Sequence, residues 1–179
     1  MIKSIKHVLI ILSLLAAQIA IVPTLPGAAR NVNVVLVVLI FLCVVYQFSI
    51  GAVYGLIIGL FLDFYSALPF GALLVGLAFT LYVVYKIFSR LLTNKSFYTF
   101  IGLNIVAAVV LSLIIYIYQF IVYFNQTRDL ILVKQLSLFS LNNLLWQLLF
   151  NALLAVVLFF VFHVFSHRFK AVFIDTTKG

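Results

Sequence analysis

The chain has 179 residues, of which 67% are hydrophobic and 8% charged, a balance that leaves too little polar surface for a water-soluble domain of this size. Eleven Lys and Arg stand against three Asp and no Glu, a formal charge of +8, which in an integral membrane protein reports topology and contact with anionic lipid headgroups, not nucleic acid. Nearly every long segment is needed to cross the bilayer, so the predicted architecture is all-α: a single polytopic helical bundle over residues 1–179, with no room for a second sizeable domain.

A hydrocarbon core of about 30 Å needs roughly 20 apolar residues at helical rise. The first span is predicted at 8–25, behind Lys3 and Lys6. It has the outline of a signal peptide, but its apolar run is longer than an ordinary h-region and Pro23 and Pro26 interrupt it before Gly27-Ala28-Ala29, so a retained signal-anchor is expected. The second span, 32–49, holds Cys43, the lone cysteine, which excludes a disulfide framework or a Cys-based zinc site within one chain. Residues 50–88 are too many for one crossing, since a helix of that length would measure about 58 Å. The stretch Ser66-Ala67-Leu68-Pro69-Phe70-Gly71 divides them, because proline disfavours helix at Leu68 and glycine offers a turn. Spans at 50–66 and 70–88 result, separated by a helix break at Pro69 and Gly71, and spans at 97–124 and 142–165 complete a set of six. Between the second and third spans, near residues 46–51, there is neither charge nor proline, so a very tight turn or a re-entrant bend is required there.

Loop charges orient the set. With the N-terminus cytoplasmic, six spans place Lys3, Lys6, Lys86, Arg90, Lys95, Arg168, Lys170 and Lys178 inside and only Arg30, Arg128 and Lys134 outside, with both termini cytoplasmic and residues 125–141 forming an extracytoplasmic loop.

Within the third span, Gly51, Gly55 and Gly59 recur every fourth residue and Asp63 continues the series along one slowly drifting stripe. Small residues at this spacing let another helix approach backbone to backbone, so the three glycines are expected to form a packing seam. An ionised carboxylate on the same stripe must face protein or a wet pocket, because facing lipid costs several kcal/mol. Asp63 can be a structural acceptor for backbone N–H groups around residues 67–71, the partner of a cation, or a substrate or proton site.

Gly55-Leu-Ile-Ile-Gly59-Leu-Phe-Leu-Asp63, followed by Leu68-Pro69-Phe70-Gly71 opening a further helix, resembles the pattern of the MreD family, small multispan rod shape-determining membrane proteins of bacteria. Ser66-Ala67-Leu68 departs mildly from a family tendency towards a small or polar residue ahead of the proline. The resemblance implies a bundle similar to the substrate-binding components of energy-coupling-factor vitamin transporters. It also implies a place in the elongation machinery of the bacterial cytoplasmic (inner) membrane as a non-catalytic scaffold without cofactors, binding MreC and, directly or through it, the actin-like MreB, RodA and a penicillin-binding transpeptidase.

Later in the chain, Asn143, Gln147 and Asn151 lie four apart and make a polar stripe on the last span, expected to form interhelical hydrogen bonds with Asn104 and Gln119 as candidate partners. His163 and His167 have the spacing of a helical metal pair but no third ligand nearby, so no metal site is expected. Tyr82, Tyr85, Tyr98, Tyr116, Tyr118, Tyr123 and Trp146 fall near span ends as an interfacial belt. There is no H-E-x-x-H, G-x-S-x-G or P-loop, and an enzyme is not expected. The competing function is a small-solute-binding membrane component of a vitamin-type transporter, since a bundle with a polar stripe and an aspartate can hold a solute near the midplane.

Overall fold

Helix α1, Ile2–Ala16, opens the computed structural model, which describes residues 2–66, 68–91, 96–127 and 130–165. It continues through a π-helical turn at Ala17–Ile21 and a 3-10 turn at Val22–Thr24. The distortion has a local cause: Pro23 has no N–H to return to the carbonyl four residues earlier, so the last turns cannot keep α-helical bonding. A further 3-10 turn, Gly27–Asn31, leads into α2, Val34–Val45. The remaining helices are α3, Phe48–Tyr65; α4, Ala72–Leu91; α5, Phe97–Thr127; and α6, Leu130–Phe165. The described residues thus form six α-helices and no strand.

Five of the helical segments are long and apolar enough to cross a membrane: His7–Thr24, Phe48–Tyr65, Ala72–Arg90, Phe97–Val122 and Leu141–Phe162. The second predicted span is the exception. At 12 residues α2 is about 18 Å long, shorter than the hydrocarbon core, and it sits in the middle of the bundle instead of facing lipid. Val35, Leu36, Val37, Leu39 and Ile40 are wholly buried. A helix that is apolar all round belongs in such a core, and an apolar run looks the same in sequence whether lipid or protein surrounds it. The turn that follows is as tight as expected, with only Tyr46 and Gln47 between α2 and α3.

The second correction concerns the 125–141 loop. Helix α6 already begins at Leu130, so most of that stretch is helical. No glycine or proline interrupts it, and nothing in it stops a helix from extending beyond the bilayer. With 31 and 36 residues, α5 and α6 measure about 46 and 54 Å, and their adjoining ends reach past the spans defined by Val122 and Leu141.

Contacts fix the relative directions of α1, α3 and α4. The His7 ring nitrogen Nδ1 meets the Tyr54 hydroxyl, joining the early turns of α1 to the early turns of α3. Phe48 packs on Tyr85 with ring centroids 4.4 Å apart, so the start of α3 lies beside the end of α4. One end of the bundle therefore gathers the start of α1, the start of α3 and the end of α4, with Lys86 and Arg90. The core is closed by α5, whose Phe100, Leu103, Ala107 and Leu111 are buried. Phe41 of α2 meets Phe100 edge-on and lies 4.4 Å, centroid to centroid, from Phe162 of α6. Where α5 and α6 converge, Ala107, Ala108 and Ala155 are fully buried, small side chains that allow the close approach on which helix association in lipid depends.

Candidate functional site

The polar groups inside the bundle converge on the N-termini of two helices. The first residues of any helix carry N–H groups with no intrahelical acceptor, and in hydrocarbon each one left alone costs several kcal/mol. Because α2 starts inside the bundle after an irregular approach, beside Gln18 and Asn151 of two apolar helices, it must find acceptors within the protein. Asn33, its N-cap, accepts the Leu36 N–H on Oδ1 at 2.9 Å. In a capping box the third helical residue would reach back to the N-cap N–H, but here that residue is Leu36, which has nothing to offer. Asn151 of α6 supplies the missing acceptor: its Oδ1 takes the Asn33 N–H at 2.8 Å. Gln18, in the π-helical turn, bridges the same site, accepting the Val35 N–H at 3.4 Å and donating to the Val32 carbonyl at 3.5 Å.

The start of α4 is built by the same logic. Gly71 occupies the N-cap, with φ +92°, a backbone conformation that favours glycine, and so the N-cap has no side chain. The Ala72 N–H bonds to the Pro69 carbonyl at 3.1 Å. The next two N–H groups go to Asp63, Leu73 to Oδ1 at 2.8 Å and Leu74 to Oδ2 at 3.0 Å. These are the second and third helical positions, the ones an ordinary N-cap side chain would serve. Asp63 is 4% exposed, and its carboxyl oxygens face the positive end of the helix dipole. The bonds fall beyond the 67–71 stretch where acceptance was expected, because Pro69 and Ser66 close the break itself, Ser66 Oγ accepting the Leu68 N–H at 3.0 Å.

What aims Asp63 at α4 is the glycine series. Residues four apart advance about 40° per step around a helix of 3.6 residues per turn, so the stripe rotates from one neighbour to the next. A Cβ at Gly51 would meet Cys43 Sγ and stand 3.3 Å from the Leu39 carbonyl of α2; at Gly55 it would meet Leu81 of α4; at Gly59 it would lie 3.1 Å from the Leu74 Cα. The backbones of α3 and α4 are thus closest one turn before Asp63, which places the carboxylate over the first turn of α4.

The stripe on α6 divides by partner. Asn151 caps α2, while Gln147 accepts from Ser112 Oγ of α5 at 3.0 Å. Asn143 is half-buried and forms no hydrogen bond among the described residues. The proposed pairing of this stripe with Asn104 and Gln119 is not found among the described residues: Asn104 Nδ2 turns back to the Phe100 carbonyl of its own helix at 2.9 Å. Two atoms in this region, Asn104 Oδ1 and Asn151 Nδ2, are buried without a hydrogen-bond partner. Gln18 and Asn33 were missed from sequence as functional positions; an Asn two residues past a 3-10 turn and ahead of an apolar run is an N-cap signal that could have found Asn33. Tyr82, Tyr85, Tyr98 and Trp146 are exposed, and the side chains of Tyr123, His163 and His167 lie outside the described residues.

Comparison with curated proteins and with solved structures returns no match. Against family models, residues 1–169 match rod shape-determining protein MreD. With nearly the whole chain matched and a multi-helix apolar bundle to accompany it, the chain belongs to the MreD family of rod shape-determining membrane proteins.

Proposed function

We propose that this chain is a non-catalytic scaffold of the cell-elongation machinery in the bacterial cytoplasmic membrane, with both termini cytoplasmic, which binds MreC and through it helps couple MreB to the peptidoglycan-synthesising RodA and transpeptidase. The observation that carries the reading is the state of Asp63. Both of its oxygens are engaged by backbone N–H groups of the same protein, so the one described intramembrane carboxylate serves to hold α3 and α4 together. A transport site gathers several polar groups around a cavity large enough for its solute; here Asp63 and the Gln18–Asn33–Asn151 group lie at two separate helix ends and act as caps. A scaffold needs this rigidity, since a docking surface for a partner's helix is only as defined as the bundle behind it.

The vitamin-transport alternative retains one foothold, the pair of buried unpartnered atoms Asn104 Oδ1 and Asn151 Nδ2. Depletion in the native host separates the two. Loss of rod shape, with loss of MreC from its normal assembly and unchanged growth on vitamin-free medium, supports the scaffold; vitamin auxotrophy in cells that stay rod-shaped refutes it.

A further inference from the structure

Between α1 and α3 an open groove of about 340 Å³ runs along the surface of the bundle. Its walls are Ile11, Ile50, Val53 and Ile57, and its polar side chains are Ser49 at the start of α3 and the paired His7 and Tyr54. From Ser49 to Ile57 the groove follows α3 for about 12 Å. A groove of this kind in a bilayer is filled by an acyl chain as a matter of course; what distinguishes it is the chemistry at its mouth.

Four features of the mouth favour a phosphate. The His7 Nδ1 is engaged by the Tyr54 hydroxyl, and its Nε2 has no partner among the described residues. Ser49 adds an exposed hydroxyl. Gln47, at the N-cap of α3, makes no side-chain bond to the first turn, whereas Asn33 and Asp63 accept from the first turns of α2 and α4, and leaves the positive end of the helix dipole open beside Ser49. The same end of the bundle holds Lys86, whose Nζ lies 5.6 Å over the Tyr82 ring, and Arg90. Asp63, the acidic residue nearest in chain, lies at the opposite end of α3.

We propose that this groove is a binding site for an anionic phospholipid, with one acyl chain lying along Val53 and Ile57 and the phosphate held at His7, Ser49 and the start of α3. Basic clusters between membrane helices select anionic headgroups in this way. A lipid seated here tethers α1, which otherwise meets α3 through few side chains, and links the stability of the bundle to the lipid composition of the leaflet.

Native mass spectrometry of the full chain in detergent tests it, with phosphatidylglycerol and phosphatidylethanolamine of identical acyl chains as probes. The wild type should retain one phosphatidylglycerol in preference to phosphatidylethanolamine by about fivefold or more, the effect of a single basic group near an anionic headgroup. Val53→Trp, at an exposed position, fills the groove and should abolish retention of either lipid; Ile57→Trp on the same wall carries this arm if the first variant melts at lower temperature. Lys86→Gln with Arg90→Gln, the described cations at this end of the bundle, should reduce phosphatidylglycerol to the level of the zwitterionic lipid. Equal retention of the two lipids by the wild type overturns the proposal. So does a pair of tryptophan variants that keep the lipid, including the case in which they lose MreC instead, which would make the groove a seat for a partner helix.

Discussion

Asp63 and Asn151 do with side chains what water does for helix ends in soluble proteins. Each accepts from a backbone N–H near the start of a helix other than its own, Asp63 at 2.8 and 3.0 Å and Asn151 at 2.8 Å. Removing such an acceptor leaves the donor buried, a cost of about 1–3 kcal/mol per group and more in hydrocarbon. Asp63→Leu abandons two donors, and its thermal midpoint in detergent should fall further than that of any other single polar substitution in the bundle. Asn151→Leu abandons the Asn33 N–H and should be clearly destabilising, whereas Gln147→Leu gives up one side-chain bond to half-buried Ser112 and should cost less than about 1 kcal/mol. A Gln147 variant more damaging than the Asn151 variant would show that the α6 stripe works through α5 and not through the cap of α2.

At the scale of elements, what could be read from sequence was whatever had a local cause. The break between α3 and α4 follows from Pro69 and Gly71, and the observed ends, Tyr65 and Ala72, fall close to those expected. The length of α2 was not legible, because Val34–Val45 is apolar on every side and hydropathy does not distinguish a core from a lipid environment. Nor was the early start of α6, since the mixture of Lys134, Gln135 and Ser137 with leucines reads as a loop when the helix is assumed to stop at the membrane surface. The partner of Asn151 is a backbone group 118 residues away, and no spacing rule reaches that far. The glycines separate cleanly by neighbour. Gly59→Ala puts a Cβ 3.1 Å from the Leu74 backbone, while Gly102 has nothing within 4 Å. Gly59→Ala should lower stability by roughly 1–3 kcal/mol, as overpacking does, and Gly102→Ala should be neutral or stabilising by up to about 1 kcal/mol through helix propensity; thermal unfolding of the two purified variants provides the comparison. Equal effects would mean that α3 and α4 are not in backbone contact at Gly59.

For the whole molecule, the arrangement is a short central helix wrapped by five longer ones, with polar caps fixing where the central helix begins and where α4 turns back. The basic residues Lys86 and Arg90 share one end with the starts of α1 and α3, and the charge asymmetry predicts that this end is cytoplasmic. In a Cys43→Ala background, a cysteine at Lys178 should react with an impermeant maleimide only after the cells are opened, and one at Arg30 should react from outside; labelling of the Lys178 position in intact cells would reverse the orientation. The scaffold reading makes a sharper demand. If Asp63 is a cap, a neutral acceptor keeps one of its two bonds and enough of the fold to act, so charge is dispensable; if Asp63 carries a proton or pairs with a cation, it is not. Rescue of rod shape by Asp63→Asn in cells depleted of the wild-type protein, at matched abundance and with MreC co-purification measured in parallel, decides between them. Partial or full return of rods with MreC retained is the expected result, and a well-expressed Asp63→Asn protein that binds MreC normally yet leaves the cells round would contradict it.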